Sequence, residues 1–185
     1  TCQFFQVGNN GALLLAGIEF DGAVDGVTKV SYLVRCYMGE IAQPANLKKL
    51  HLESCVIKKL KDNVIDGAGT ALKGNVVVDT TIVNNCIVHD TGTLVHYKYV
   101  GANFIQVSNS TMYNITTYGF RFSGYDDSGS TVYPVIVVDH TTWYNMGLTD
   151  PREIILTDKA TAVPLDKPIT ITNSIFSTQT DWETT

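Results

Sequence analysis

Apolar and polar positions alternate along this chain in one recurring phrase, apolar-x-apolar-x-x-small-x-apolar, whose small position is usually Cys, Ser or Thr. Its copies begin at Leu13 (LLLAGIEF), Leu50 (LHLESCVI), Thr81 (TIVNNCIV), Ile105 (IQVSNSTM), Ile136 (IVVDHTTW) and Ile169 (ITITNSIF). The second apolar positions, Leu15, Leu52, Val83, Val107, Val138 and Ile171, stand 37, 31, 24, 31 and 33 residues apart. Between copies lies a second strand-like run: SYLV at 31–34, NVI at 63–65, TLVHYKYV at 93–100, YGFRF at 118–122 and EIIL at 153–156. Turn residues punctuate these runs at Asp21-Gly22, Asp25-Gly26, Asp66-Gly67, Thr91-Gly92, GYDDSGS at 124–130 and Asp150-Pro151. No segment reads as a helix. A unit with at least two strands cannot bury its apolar face alone, so it stacks on copies of itself about 4.8 Å apart. The expected fold is all-β, a right-handed single-stranded parallel β-helix of about six coils, about 29 Å long.

Two other architectures compete. The segment LKKLHLESCVI at 47–57 fits the leucine-rich phrase LxxLxLxx(N/C)xL, but the other copies lack the first Leu, most intervals exceed about 29 residues, and the return path is β-rich. A sandwich of hairpins would give the long period no reason to exist.

Stacking also assigns the polar positions of the phrase. Ser54, Asn85, Asn109, His140 and Asn173 form one column, and Cys55, Cys86, Ser110, Thr141 and Ser174 the next. In-register Asn and Ser can ladder at a bend and satisfy backbone groups freed there. Cys55 and Cys86 fall in adjacent coils, where either a bridge or a reduced buried pair is compatible with the spacing; Cys2 and Cys36 have no assigned role. No CxxC pair suggests zinc or a redox motif.

Composition agrees with strands: Thr, Val and Ile fill 56 of 185 positions, and only 17 % of residues are charged. Residues 1–185 are expected to form one domain. The chain starts at Thr1, not Met, so it reads as excised or processed, a piece of something longer whose other segments would cover the solenoid ends. A net charge of −5 and a pI near 5.2 argue against nucleic acid as a partner, which needs clustered Lys and Arg. No run of about 18 apolar residues predicts a membrane-spanning segment.

The coil phrases ITITNSIF (169–176) and IVNNCIV (82–88) and the opening GALLLAGIEFDG (11–22) resemble the right-handed β-helices of the pectate-lyase-like superfamily. The phrases LLLAGIEFDG and ITITNSIFS are similar to β-helix modules of surface lipoproteins of gut Bacteroidetes. The resemblance covers nearly the whole chain and implies a secreted or outer-surface-anchored bacterial protein that meets polysaccharide. Family lyases cleave uronates by β-elimination, with Lys or Arg as base and Ca²⁺ held by Asp or Glu; family hydrolases use paired Asp on adjacent coils. Coil phrases encode stacking and not chemistry.

Strand alternation supplies the candidates. With Phe120 and Phe122 inward, Arg121 faces outward; with Val95, Tyr97 and Tyr99 inward, His96 and Lys98 face outward. Arg35, Asp62 and Arg152 belong to neighbouring coils. The candidate ligand-binding set is Arg35, His96, Lys98, Tyr118, Arg121 and Tyr125: a cationic stripe for an anionic glycan, with two tyrosines as stacking faces. In the lyase alternative, Lys98 or Arg121 is the base. Calcium would then be optional, and its acidic candidates, Asp62, Asp66, Asp126, Asp127 and Asp139, share no column; no metal site is assigned. Asp139 and His140 are adjacent in sequence and are expected to face opposite ways. His51 and His89 read as surface residues.

Two Asn-x-Ser/Thr acceptors, at Asn109 and Asn114, matter only in a eukaryotic secretory pathway. The sequence thus favours a polysaccharide-binding module without catalysis of its own. A polysaccharide lyase and a protein-binding, adhesin-like solenoid are the alternatives.

Overall fold

The computed structural model describes residues 3–8, 10–36, 39–40, 43–44, 46–68, 77–98, 101–123, 134–147, 154–158 and 167–177. Three parallel six-stranded sheets dominate these residues. The first contains β1 (Gln3–Val7), β6 (Tyr32–Cys36), β11 (Asn63–Ala68), β14 (Thr93–Lys98), β17 (Phe120–Ser123) and β20 (Ile155–Asp158). The second contains β2 (Ala12–Ala16), β9 (Leu47–Glu53), β12 (Val77–Asn84), β15 (Gly101–Ser108), β18 (Val135–Asp139) and β21 (Ile169–Thr172). The third contains β3 (Glu19–Asp21), β10 (Val56–Lys58), β13 (Ile87–Thr91), β16 (Thr111–Ile115), β19 (Thr142–Met146) and β22 (Ile175–Ser177). Two short hairpins, β4–β5 (Ala23–Val24, Val27–Thr28) and β7–β8 (Gly39–Glu40, Gln43–Pro44), interrupt the early coils.

The chain visits the sheets in rotation, so each strand pairs with its counterpart one coil away. Such a path is a right-handed parallel β-helix of about six coils, the hand that parallel crossovers take. Leu15, Leu52, Val83, Val107, Val138 and Ile171 pair in unbroken register. The first five are buried. Ile171, in the last described coil, is 47 % exposed because no described residue covers that end.

Each coil has three strands, one more than the two the sequence pattern required. The extra strand is the tail of the recurring phrase, cut off by a bend. Ser54, Asn85, Asn109, His140 and Asn173 all have φ near +50°, and Gly17 takes the equivalent place in the first coil. A left-handed residue resets strand alternation, which lets Leu52, Cys55 and Ile57 all point inward. Asn and Gly tolerate this conformation best, which explains the composition of the column. Asn85 Nδ2 donates to Ser54 Oγ at 2.9 Å, and Asn109 Nδ2 to Asn84 Oδ1 at 2.9 Å. A second left-handed column, Lys59, Asp90, Asn114 and Asn145, runs near the strand ends of the third sheet. There Asn114 Nδ2 donates to Asp90 Oδ1 at 2.8 Å, and Asn145 Nδ2 to Asn114 Oδ1 at 2.7 Å.

The neighbouring column works inside the wall. Cys55 N–H donates to Cys86 Sγ at 3.4 Å, and Cys86 N–H to Ser110 Oγ at 3.0 Å. Cys36, Cys55 and Cys86 are free and buried, and burial pushes the Cys86 thiol up to about 11. Cys2 lies outside the described residues.

One expected turn is not a turn. Asp66 and Gly67 lie inside β11, in register with His96 and Tyr97. Gly67 points inward under the Tyr97 ring, where its missing side chain makes room.

Candidate functional site

The outer face of the first sheet carries one continuous row. Gln6, Arg35, Asp66, His96 and Arg121 occupy equivalent positions on successive coils. Alternation places them outward because their strand neighbours Val34, Ile65, Val95 and Phe120 fill the core. Asp66 is nevertheless only 3 % exposed. Its coil neighbours cover it: Asn63 Nδ2 donates to Asp66 Oδ1 at 2.9 Å, and His96 Nδ1 lies 3.4 Å from the same oxygen. Arg35 Nε is 3.5 Å from Asp66 Oδ2, an oxygen that accepts no hydrogen bond. His96 also lies 3.2 Å from Asn63 Nδ2 through Nδ1, and 3.1 Å from Ser123 Oγ through Nε2.

A groove of about 400 Å³ runs along this face. His96, Lys98 and Arg121 line it, as the sequence stripe anticipates, together with Lys61, Asp62 and Asp66. Tyr32 and the threonines Thr93, Thr116 and Thr117 supply the remaining polar lining with Asn63 and Gly92. Thr93 and Thr117 hydroxyls bond each other at 2.7 Å across the coils. Four successive coils contribute residues, so the groove follows the solenoid axis for about 14 Å. Burial, followed by the charges of Asp66 and Asp62, holds the Tyr32 hydroxyl above its ordinary range.

The other candidates are placed differently. Arg35 does not line the groove; it stands beside it, against Asp66 and with its guanidinium 5.5 Å from the Tyr32 ring centre. Tyr118 is 5 % exposed, and the Arg121 guanidinium lies over its ring at 5.3 Å, so it offers a sugar no open face. Tyr32 is the ring that reaches the groove, and sequence reasoning missed it because it opens a strand whose inward residues drew the assignment. Tyr99, Tyr125, Asp126, Asp127 and Arg152 lie outside the described residues.

Asp139 and His140 do cooperate, contrary to the alternation argument. His140 Nδ1 is 2.8 Å from Asp139 Oδ2, because the left-handed bend at His140 turns both side chains to one side. Thr172 Oγ1, His140 and Asn173 Nδ2 bond the Asp139 carboxyl and hold it down at about 2. His51 pairs with Glu53 at 3.1 Å. His89 pairs with Asp90 at 2.7 Å and stacks on Tyr113 with centroids 4.5 Å apart. Only His96 of the four histidines lines the groove. Among the described residues, no three His, Cys, Asp or Glu side chains gather as a metal site. No helix among them is long and apolar enough to cross a membrane.

No family model, curated protein or solved structure matches this chain. The β-helix is established by its own register, and chemistry has to be read from the groove.

Proposed function

We propose that the protein is a secreted or surface-held module that binds an acidic polysaccharide along the groove of the first sheet. The groove itself carries this reading: it is elongated, polar and open along the solenoid axis, with Lys61, Lys98 and Arg121 on its walls. A linear glycan fits such a channel, since hydroxyl-rich rings need many shallow polar contacts rather than one deep apolar pocket. Guanidinium and ammonium groups supply carboxylate recognition, Arg as a planar fork and Lys as a point charge. Asp66 subtracts little from this field because Arg35 lies against it. The superfamily resemblance of the coil phrases points to the same class of partner.

Isothermal titration against polygalacturonate and a neutral glucan tests the proposal. Expected is binding of the acidic polymer that weakens with salt, and at least a tenfold loss in the double substitution Lys98→Ala, Arg121→Ala. Absence of binding by any acidic polymer overturns it.

A lyase reading is supported by Lys98 and Arg121 lining the same groove, where either could take a proton α to a uronate carboxylate. Unsaturated product released from polygalacturonate, with and without calcium, is its signature.

A further inference from the structure

The groove of the first sheet does not carry one sign of charge along its length. Asp62 and Asp66 line it from one coil, Lys98 from the next and Arg121 from the one after. Asp66, His96 and Arg121 are register partners, so the acidic end and the guanidinium stand two coils, about 10 Å, apart along the solenoid axis. We infer that the groove reads a mixed-charge glycan in which a hexosamine with a free amine alternates with a uronate: the amine meets Asp62, and the carboxylate meets Lys98 and Arg121. The inference rests on the acidic-polysaccharide reading and narrows it.

The acidic end is short of a cation. Asp62 is half-buried, and among the described residues its carboxylate has no hydrogen-bond or ion-pair partner. A charge held partly out of water gains when a ligand brings the opposite one. Lys61, its neighbour in sequence, is exposed, where solvent screens it. Arg35 offsets Asp66 from beside the groove, and Asp66 Oδ2 still accepts no hydrogen bond. The Tyr32 hydroxyl registers the sign of the field here: after burial, the charges of Asp66 and Asp62 hold it above its ordinary range, against the opposing charge of Arg35.

His96 does not fill that gap. Asn63 Nδ2 lies 2.9 Å from Asp66 Oδ1 and 3.2 Å from His96 Nδ1, and an amide nitrogen only donates. Nδ1 is therefore an acceptor, and the ring hydrogen sits on Nε2, 3.1 Å from Ser123 Oγ. In this arrangement the ring sets no cation beside Asp66. A uniformly anionic chain would bring a carboxylate to each sugar ring, including the one beside Asp62, where like charges repel. An alternating chain puts an ammonium there and keeps its carboxylate for Lys98 and Arg121, and a separation of two coils is on the scale of two linked sugar rings.

Titration calorimetry on the whole protein compares three polymers: heparosan, which alternates glucuronate with N-acetylglucosamine; the same polymer after N-deacetylation; and polygalacturonate. A slightly acidic buffer keeps the freed amine charged. Expected is binding of the free-amine polymer about fivefold tighter than of its acetylated parent, the scale of one partly exposed ion pair. Asp62→Asn should abolish that preference while its affinity for polygalacturonate stays equal or rises, which also shows that the variant is folded. Equal or weaker binding of the free-amine form by the wild type, a comparison that needs no variant, overturns the inference, as does a preference that survives Asp62→Asn. In either case binding of polygalacturonate leaves the acidic-polysaccharide reading standing. Binding of none of the three polymers overturns both.

Discussion

Tyr97 lies over Gly67 one coil below, so close that a Cβ on Gly67 would sit 2.6 Å from Tyr97 Cδ1. The two are register partners, both inward, and the ring fills the space that a side chain on β11 would have taken. Tyr97 is fully buried, and its hydroxyl meets Thr81 Oγ1 at 2.6 Å across the core. Gly67→Ala is therefore expected to destabilise by about 1–3 kcal/mol, as overpacked cores do. The cost should shrink when Tyr97 is also replaced by Leu, which a double-mutant cycle by urea denaturation measures. Equal costs in both backgrounds would show that the contact is not the cause.

The left-handed column makes a prediction about backbone and not about packing. Asn109 sits at φ 49° and bonds Asn84. Asn109→Ala loses the hydrogen bond and puts Ala in a conformation that costs about 1–2 kcal/mol. Asn109→Gly loses only the bond and some chain entropy, so it should be less harmful. Denaturation midpoints that rank Ala and Gly equally would contradict the assignment.

The same bends explain what the sequence could and could not show. The columns were legible because stacking gives each coil the same environment at the same place, so Leu15, Leu52, Val83, Val107, Val138 and Ile171 repeat visibly. Alternation within β14 and β17 was legible too, and it put His96, Lys98 and Arg121 outward. It failed wherever a left-handed residue interrupted it: the third sheet hid in the tail of the phrase, and Asp139 and His140 were set on opposite sides although they bond. Asp66-Gly67 looked like a turn by residue type, yet what holds it in a strand is a ring 30 residues later. The Asp66, His96 and Ser123 series was invisible for a similar reason, since its contacts cross coils and depend on rotamers.

Acid should find Asp139 before the core. Its hydrogen bonds from Thr172, His140 and Asn173 lower its pKa from 3.8 to about 2, so folding favours the carboxylate. The stabilisation is complete above pH 4 or so and is lost as pH falls through about 2. Wild type should exceed Asp139→Asn in urea midpoint at pH 5, with the gap narrowing by pH 2. A gap independent of pH would assign the difference to geometry and not to ionisation.

Arg35 and Asp66 are register partners on adjacent coils and form a charge pair. Asp66 Oδ2 is buried, accepts no hydrogen bond and has Arg35 Nε 3.5 Å away as its charge partner. Arg35→Ala strands that charge and should cost about 2 kcal/mol, less than for a fully buried pair because Arg35 is partly exposed. Asp66→Asn in the Arg35→Ala background removes the stranded charge, so stability should partly return; simple additivity would mean that the two charges are not coupled.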